Sequence, residues 1–217
     1  MMMNIFSVFD PSTGSLSLNW LSMILMMFMP LTYWNLPSKI MIMMTVVSKK
    51  LMNEVIMHIN KVEPSILFVS MFMFILINNV MGLLPYIFTA SAHLVFSMAM
   101  ALSMWTSMML FGWINKTNNM FTHLVPVGTP YPLMMFMVLI ESISNFIRPG
   151  SLAVRLSANM IAGHLLMSLM GSKLVVNFPL MMLMMWLFMG LMAFELAVAF
   201  IQSYVFMTLS TLYSSEI

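Results

Sequence analysis

Two apolar runs, Leu133–Met170 and Leu180–Tyr213, close the sequence and are separated only by a short turn-like stretch around "VNFPL" at 176–180. As helices they would reach ~55–60 Å and ~50 Å, against a hydrocarbon core of ~30 Å. Neither can stand upright in a bilayer. Each must tilt strongly or bend, and Arg148-Pro149-Gly150 is the obvious place for a bend in the first. Only 6% of the residues are charged and 62% are hydrophobic, whereas a water-soluble domain carries roughly 25% charged residues. This chain cannot cover a water-facing surface, and it reads as an all-α integral membrane protein.

The rest of the chain supplies shorter elements. Residues 16–34 read as a first span, with Trp20 and Trp34 as interface anchors. Residues 65–86 read as a second span, stopped by Pro85, and residues 94–114 as a third. Between the first two, residues 38–62 carry Lys50, Glu54 and His58 at steps of four, while Ile40, Met43, Val47, Leu51 and Val55 point elsewhere. That pattern predicts an amphipathic helix lying on the membrane; a solvated charged loop is the other reading. "NKTNNMFTHLVPVGTPYP" at 115–132 reads as a polar, proline-broken loop. The long runs, taken as residues 133–173 and 179–214, form a tilted helical hairpin. The expectation is one integral membrane domain over residues 1–217, with about five membrane-crossing helices plus one amphipathic surface helix.

Lysine placement sets the orientation. Lys39, Lys49, Lys50 and Lys61 follow the first span and place it inside; 85–93 has neither Lys nor Arg and lies outside; Lys116 returns the next loop inside. The N-terminus is then outside and the C-terminus inside, with Lys173 mildly against the scheme. The start of the chain has no basic n-region and no Arg-rich amphipathic segment, so no cleavable targeting peptide is expected. Methionine occurs 34 times, mostly as a flexible apolar filler. The excess points to a mitochondrial genome that reads ATA as Met, hence to a protein made inside the organelle.

Several functions are excluded by what is missing. A net charge of +2 is too small for nucleic-acid binding. Without cysteine there are no disulfides, thiolate metal sites or cysteine nucleophiles. Four scattered histidines leave little for haem or zinc, so no cofactor and no metal are expected.

The ionisable residues of the two long runs and their turn are Glu141, Arg148, Arg155, His164, Lys173, Glu195 and Glu216. Such groups are costly in a membrane span and usually mark ion or proton paths; a structural ion pair joining two helices is the alternative. Arg155 cannot shed its proton, so its charge must be paired or used. Glu141, Arg148 and Arg155 are seven apart and fall on one stripe, and Asn159 is one turn beyond Arg155. His164 is half a turn out of phase with Arg155. Folding the runs about 178–180 sets Arg155 level with Gln202, His164 with Glu195, and Glu141 with Glu216 at the chain end. A fixed cation would then lie between two groups of titratable residues at different depths.

These residues, with "NIFSVFDPS", "NNVMGLLPYIFT", "FTHLVPVGTP", "ESISNFIRPGSLAVRLSANMIAGHLL" and "IQSYVFMTLSTLYSSE", resemble subunit a of the F-type ATP synthase in its mitochondrial, arthropod form. The likeness runs the full length, and Glu141–Leu166 is its most specific part. The resemblance implies a hairpin wrapped on a rotating ring of c subunits, each with one proton-binding carboxylate, served by two aqueous half-channels. It makes Arg155 the essential coupling cation, Asn159 its polar partner, and Gln202 the glutamine facing it. His164 and Glu195 become the lining of the half-channel from the intermembrane space, and Glu141 the acid near the matrix half-channel. It implies protons as the transported species and no enzymatic activity for the chain alone. Its partners would be the c-ring, peripheral-stalk subunits, other small membrane-sector subunits and the lipid bilayer. Its place would be the mitochondrial inner membrane, N-terminus toward the intermembrane space and C-terminus toward the matrix. Among rival readings, a haem cytochrome would need histidines paired across facing helices, and a self-contained channel would conduct without partners.

Overall fold

A computed structural model describes residues 5–28, 36–59, 61–84, 86–125, 130–174 and 178–216. The described elements are helical. Short 3-10 helices at Ile5–Phe9 and Leu18–Phe28 lead into α1 (Lys39–Ile59) and α2 (Val62–Gly82). A 3-10 turn at Ala90–Ala92 precedes α3 (Leu94–Asn115), α4 (Thr117–Leu124), α5 (Tyr131–Leu174) and α6 (Phe178–Glu216). Among the described residues four stretches are long and apolar enough to cross a membrane: Val62–Gly82, Leu94–Asn115, Tyr131–Ser172 and Met184–Ser215. Of the expected first span, 16–34, residues 16–28 are described and contain the 3-10 helix Leu18–Phe28, while 29–34 lie outside the described residues.

The helix α5 has 44 residues and α6 has 39, or ~66 Å and ~58 Å at the α-helical rise. The helical assignment of α5 continues through Pro149. On α1 the pattern resolves into one packed edge: Leu51 and Val55 are buried, while Ile40, Met43 and Val47 are exposed. Leu51 and Val55 join Phe68, Phe72 and Leu76 of α2, Met104 of α3 and Met207 of α6 in one apolar cluster. Tyr204 of α6 donates its hydroxyl to Oε2 of Glu54 at 3.3 Å, a second tie between the surface helix and the hairpin.

Two further clusters bind α2 to the hairpin. Ile75 packs with Ala101, Leu152, Ala153, Leu156 and Phe206; Leu83 packs with Ala92, Met160 and Ala199. As α2 ascends from 75 to 83, the α6 partners descend from 206 to 199, so the two helices run antiparallel. Part of the 115–132 stretch is helical rather than loop: α4 spans Thr117–Leu124. Its polar composition hides a hydrophobic anchor, the edge-on contact of Phe121 with Trp113, ring centres 5.0 Å apart. Before α3, His93 packs with Trp20 and Phe88, 5.1 Å from each ring centre, the two aromatic rings being 5.7 Å from each other. The side chains of His123, Lys173 and Glu216 lie outside the described residues.

Candidate functional site

The middle of α5 has two faces. Leu152, Ala153, Leu156, Ser157, Met160 and Gly163 are buried against the rest of the chain. Ser151, Val154, Arg155, Ala158, Asn159 and Ala162 are exposed. The spacing of each set is that of a helix stripe. Arg155 therefore stands on an outward face among small and apolar residues. Among the described residues it makes no hydrogen bond or ion pair. The small residues Ala153, Ser157 and Gly163 pack inside this chain, whereas Ala158 and Ala162 remain on the outward face.

The hairpin register from sequence sets Arg155 level with Gln202, but among the described residues no hydrogen bond joins the two. Asn159, one turn on, does bond Gln202: its Nδ2 donates to Gln202 Oε1 at 3.0 Å. Gln202 is 4% exposed, and its Nε2 is buried without a partner among the described residues. A neutral amide can reach the interior at modest cost, whereas a guanidinium there would have to be desolvated without neutralising. The arginine consequently keeps the rim.

Glu195 is 8% exposed and lies against Gly163. A Cβ on Gly163 would come within 2.7 Å of the Glu195 carboxyl, so only glycine leaves room for it. His164 is the next residue, its ring edge-on to Phe9 at 6.3 Å. Glu195 Oε1 and His164 Nε2 are both buried without a hydrogen-bond partner among the described residues. The two groups share a level of the hairpin without bonding to each other through those atoms.

Glu141 is apart from this constellation. Its Oε1 is 3.7 Å from Arg148 Nη2, and the Arg148 guanidinium lies over the Tyr213 ring at 5.2 Å. These residues line a cavity of about 530 Å³ with Trp105, Asn145 and Phe146. Arg148 is thus engaged by the side chains of Glu141 and Tyr213. The structure brings out two features that sequence reasoning missed, the Gly163 seat for Glu195 and the Tyr204–Glu54 tie. A glycine inside a helix beside a membrane-span carboxylate was the available signal for the first.

Residues 15–215 match the family described as ATP synthase A chain. The chain belongs to the ATP synthase A chain family. It is 52% identical to ATP synthase subunit a of Locusta migratoria, with all of both chains covered. It is 50% identical to ATP synthase subunit a of Drosophila melanogaster and 49% to that of Anopheles gambiae, again over all of both chains. The ATP synthase A chain match contains Glu141 and every residue of the constellation from Arg155 to Gln202.

Proposed function

We propose that this chain is the proton-translocating stator subunit of an ATP synthase membrane sector, set in the mitochondrial inner membrane with its N-terminus toward the intermembrane space and its C-terminus toward the matrix. Two aqueous half-channels deliver protons to, and collect them from, the carboxylates of a c-ring turning against α5 and α6. Peripheral-stalk and other small membrane-sector subunits hold it still. The chain binds no nucleotide and catalyses nothing alone. The observation that carries the reading is the outward guanidinium of Arg155, without an ion pair among the described residues, with polar groups placed behind it on the same two helices.

The chemistry follows from charge. A carboxylate passing Arg155 has its pKa lowered by the fixed cation, so it must give up its proton before it passes. The same cation repels protons moving straight from one half-channel to the other. His164 and Glu195 can take up and release protons on the outer side, and Glu141 on the matrix side; Arg155 can do neither. Each charge crossing the potential gains about 2.3 kcal/mol per 100 mV, and the arginine forces that gain through rotation.

Replacing Arg155 with Lys tests this. Lysine keeps the charge but loses the planar fork and can deprotonate when desolvated. Arg155→Lys complexes assemble but lose ATP synthesis coupled to proton flow. Normal synthesis in vesicles bearing that change would refute the proposal.

A further inference from the structure

Asn79 is 0% exposed, and both its Nδ2 and its Oδ1 lack a hydrogen-bond partner among the described residues. Its neighbour Asn78 satisfies itself locally, donating Nδ2 to the Phe74 carbonyl at 3.0 Å. Asn79 does not take that route. Native interiors rarely leave buried polar groups unpaired, and those left over are usually met by ordered water.

The position of Asn79 says what it faces. It is four residues past Ile75 and four short of Leu83, hence on their stripe of α2. Ile75 shares a cluster with Leu156 and Phe206, and Leu83 shares one with Met160 and Ala199. Between Phe206 and Ala199 on the antiparallel α6, the level of Asn79 is that of Gln202 and Ser203, both buried. Gln202 has one half of its amide engaged by Asn159 and the other half, Nε2, buried and unpaired among the described residues. An amide oxygen accepts where an amide nitrogen donates, so the two orphan groups are complementary.

We propose that Asn79 is a positioning residue for Gln202: one ordered water, accepting from Gln202 Nε2 and donating to Asn79 Oδ1, fixes the glutamine so that its Oε1 faces Asn159, one turn from Arg155. The inference rests on the proton-translocating reading above and extends the constellation to a third helix. Water of this kind, held by two or more polar partners, is costly to displace.

The test uses the assembled complex in inner-membrane vesicles, with proton flux driven by an imposed gradient and assembly followed on native gels. Asn79→Ala lowers flux about three- to tenfold, the effect of one lost hydrogen bond. Asn79→Ser, whose hydroxyl can still hold the water, retains more than half of it. Asn79→Ala adds nothing to the loss in a Gln202→Leu background, because both changes remove the same contact. Equal flux in the Ala and Ser variants, or losses that multiply with Gln202→Leu, would overturn the proposal. Arg155→Lys run in parallel separates the two ideas. If it couples normally, the reading of the site fails; if it uncouples while Asn79→Ala behaves as wild type, only the assignment of Asn79 fails.

Discussion

Asn159 donates its amide to Gln202 Oε1 at 3.0 Å across the hairpin, one turn from an arginine that faces outward. A neutral hydrogen bond of this kind contributes ~0.5–1.5 kcal/mol. A double-mutant cycle of Asn159→Ala and Gln202→Ala, read on ATP-driven proton pumping, should return a coupling energy of that size. Strictly additive losses would mean that the bond plays no part in transport.

The outward stripe makes a positional prediction. Cysteines replacing Ala158, Asn159 or Ala162, all exposed, should cross-link to the c-ring. A cysteine replacing Ser157, which is 2% exposed and turned into the chain, should not, and neither should one at Met104, 7% exposed. Efficient cross-linking from 157 with none from 158 or 162 would place the ring on another face.

Gly163→Ala separates stability from transport. The added Cβ meets only the end of the Glu195 side chain, which can swing away. The stability cost should fall below the ~1–3 kcal/mol of an overpacked core. Proton flux should nevertheless drop, because the carboxyl is pushed from its seat beside His164. Glu195→Asp in the Gly163→Ala background, one methylene shorter, should recover part of the flux; thermal melts and flux measured on the same preparations decide it.

Glu141→Gln should leave thermal stability almost unchanged. Its contact with Arg148 is long at 3.7 Å, and the two side chains are 39% and 30% exposed, so the pair contributes no more than ~1 kcal/mol. Arg148 also keeps Tyr213 beneath it. A fall in proton flux without a fall in melting temperature would mark the carboxyl as a proton carrier; a large loss of stability with unchanged flux would make it a strut.

The fold class was legible because scarcity of charge leaves a chain no alternative to the bilayer. The site was legible only in part. Spacing along the sequence gives height on a helix, and it set Gln202 level with the Arg155–Asn159 turn, where Gln202 does bond Asn159. It does not say which of two residues on one stripe makes the contact. Arg155 and Asn159 differ by one turn and are both exposed, yet only the asparagine reaches across to Gln202, as the cost of desolvating a guanidinium favours. The helix α4 was hidden because its polar residues resemble a loop, while its one large anchor, Phe121, finds Trp113 on a different element. Glu54 and Tyr204 are 150 residues apart, and no periodicity links them. Asn79 is inconspicuous within an apolar span until its burial is known.

The α5 members of the apolar clusters, Leu152, Ala153, Leu156 and Met160, lie on the face turned away from Arg155, with α3 packed along α5 and α2 along α6. Close-packed protein interiors are nearly incompressible. A sideways thrust delivered at the arginine's face would therefore be received by interlocked, largely apolar side chains, not by a hinge. In the proposed stator, the stiffness that holds the arginine's face in place would come from residues that never meet a proton.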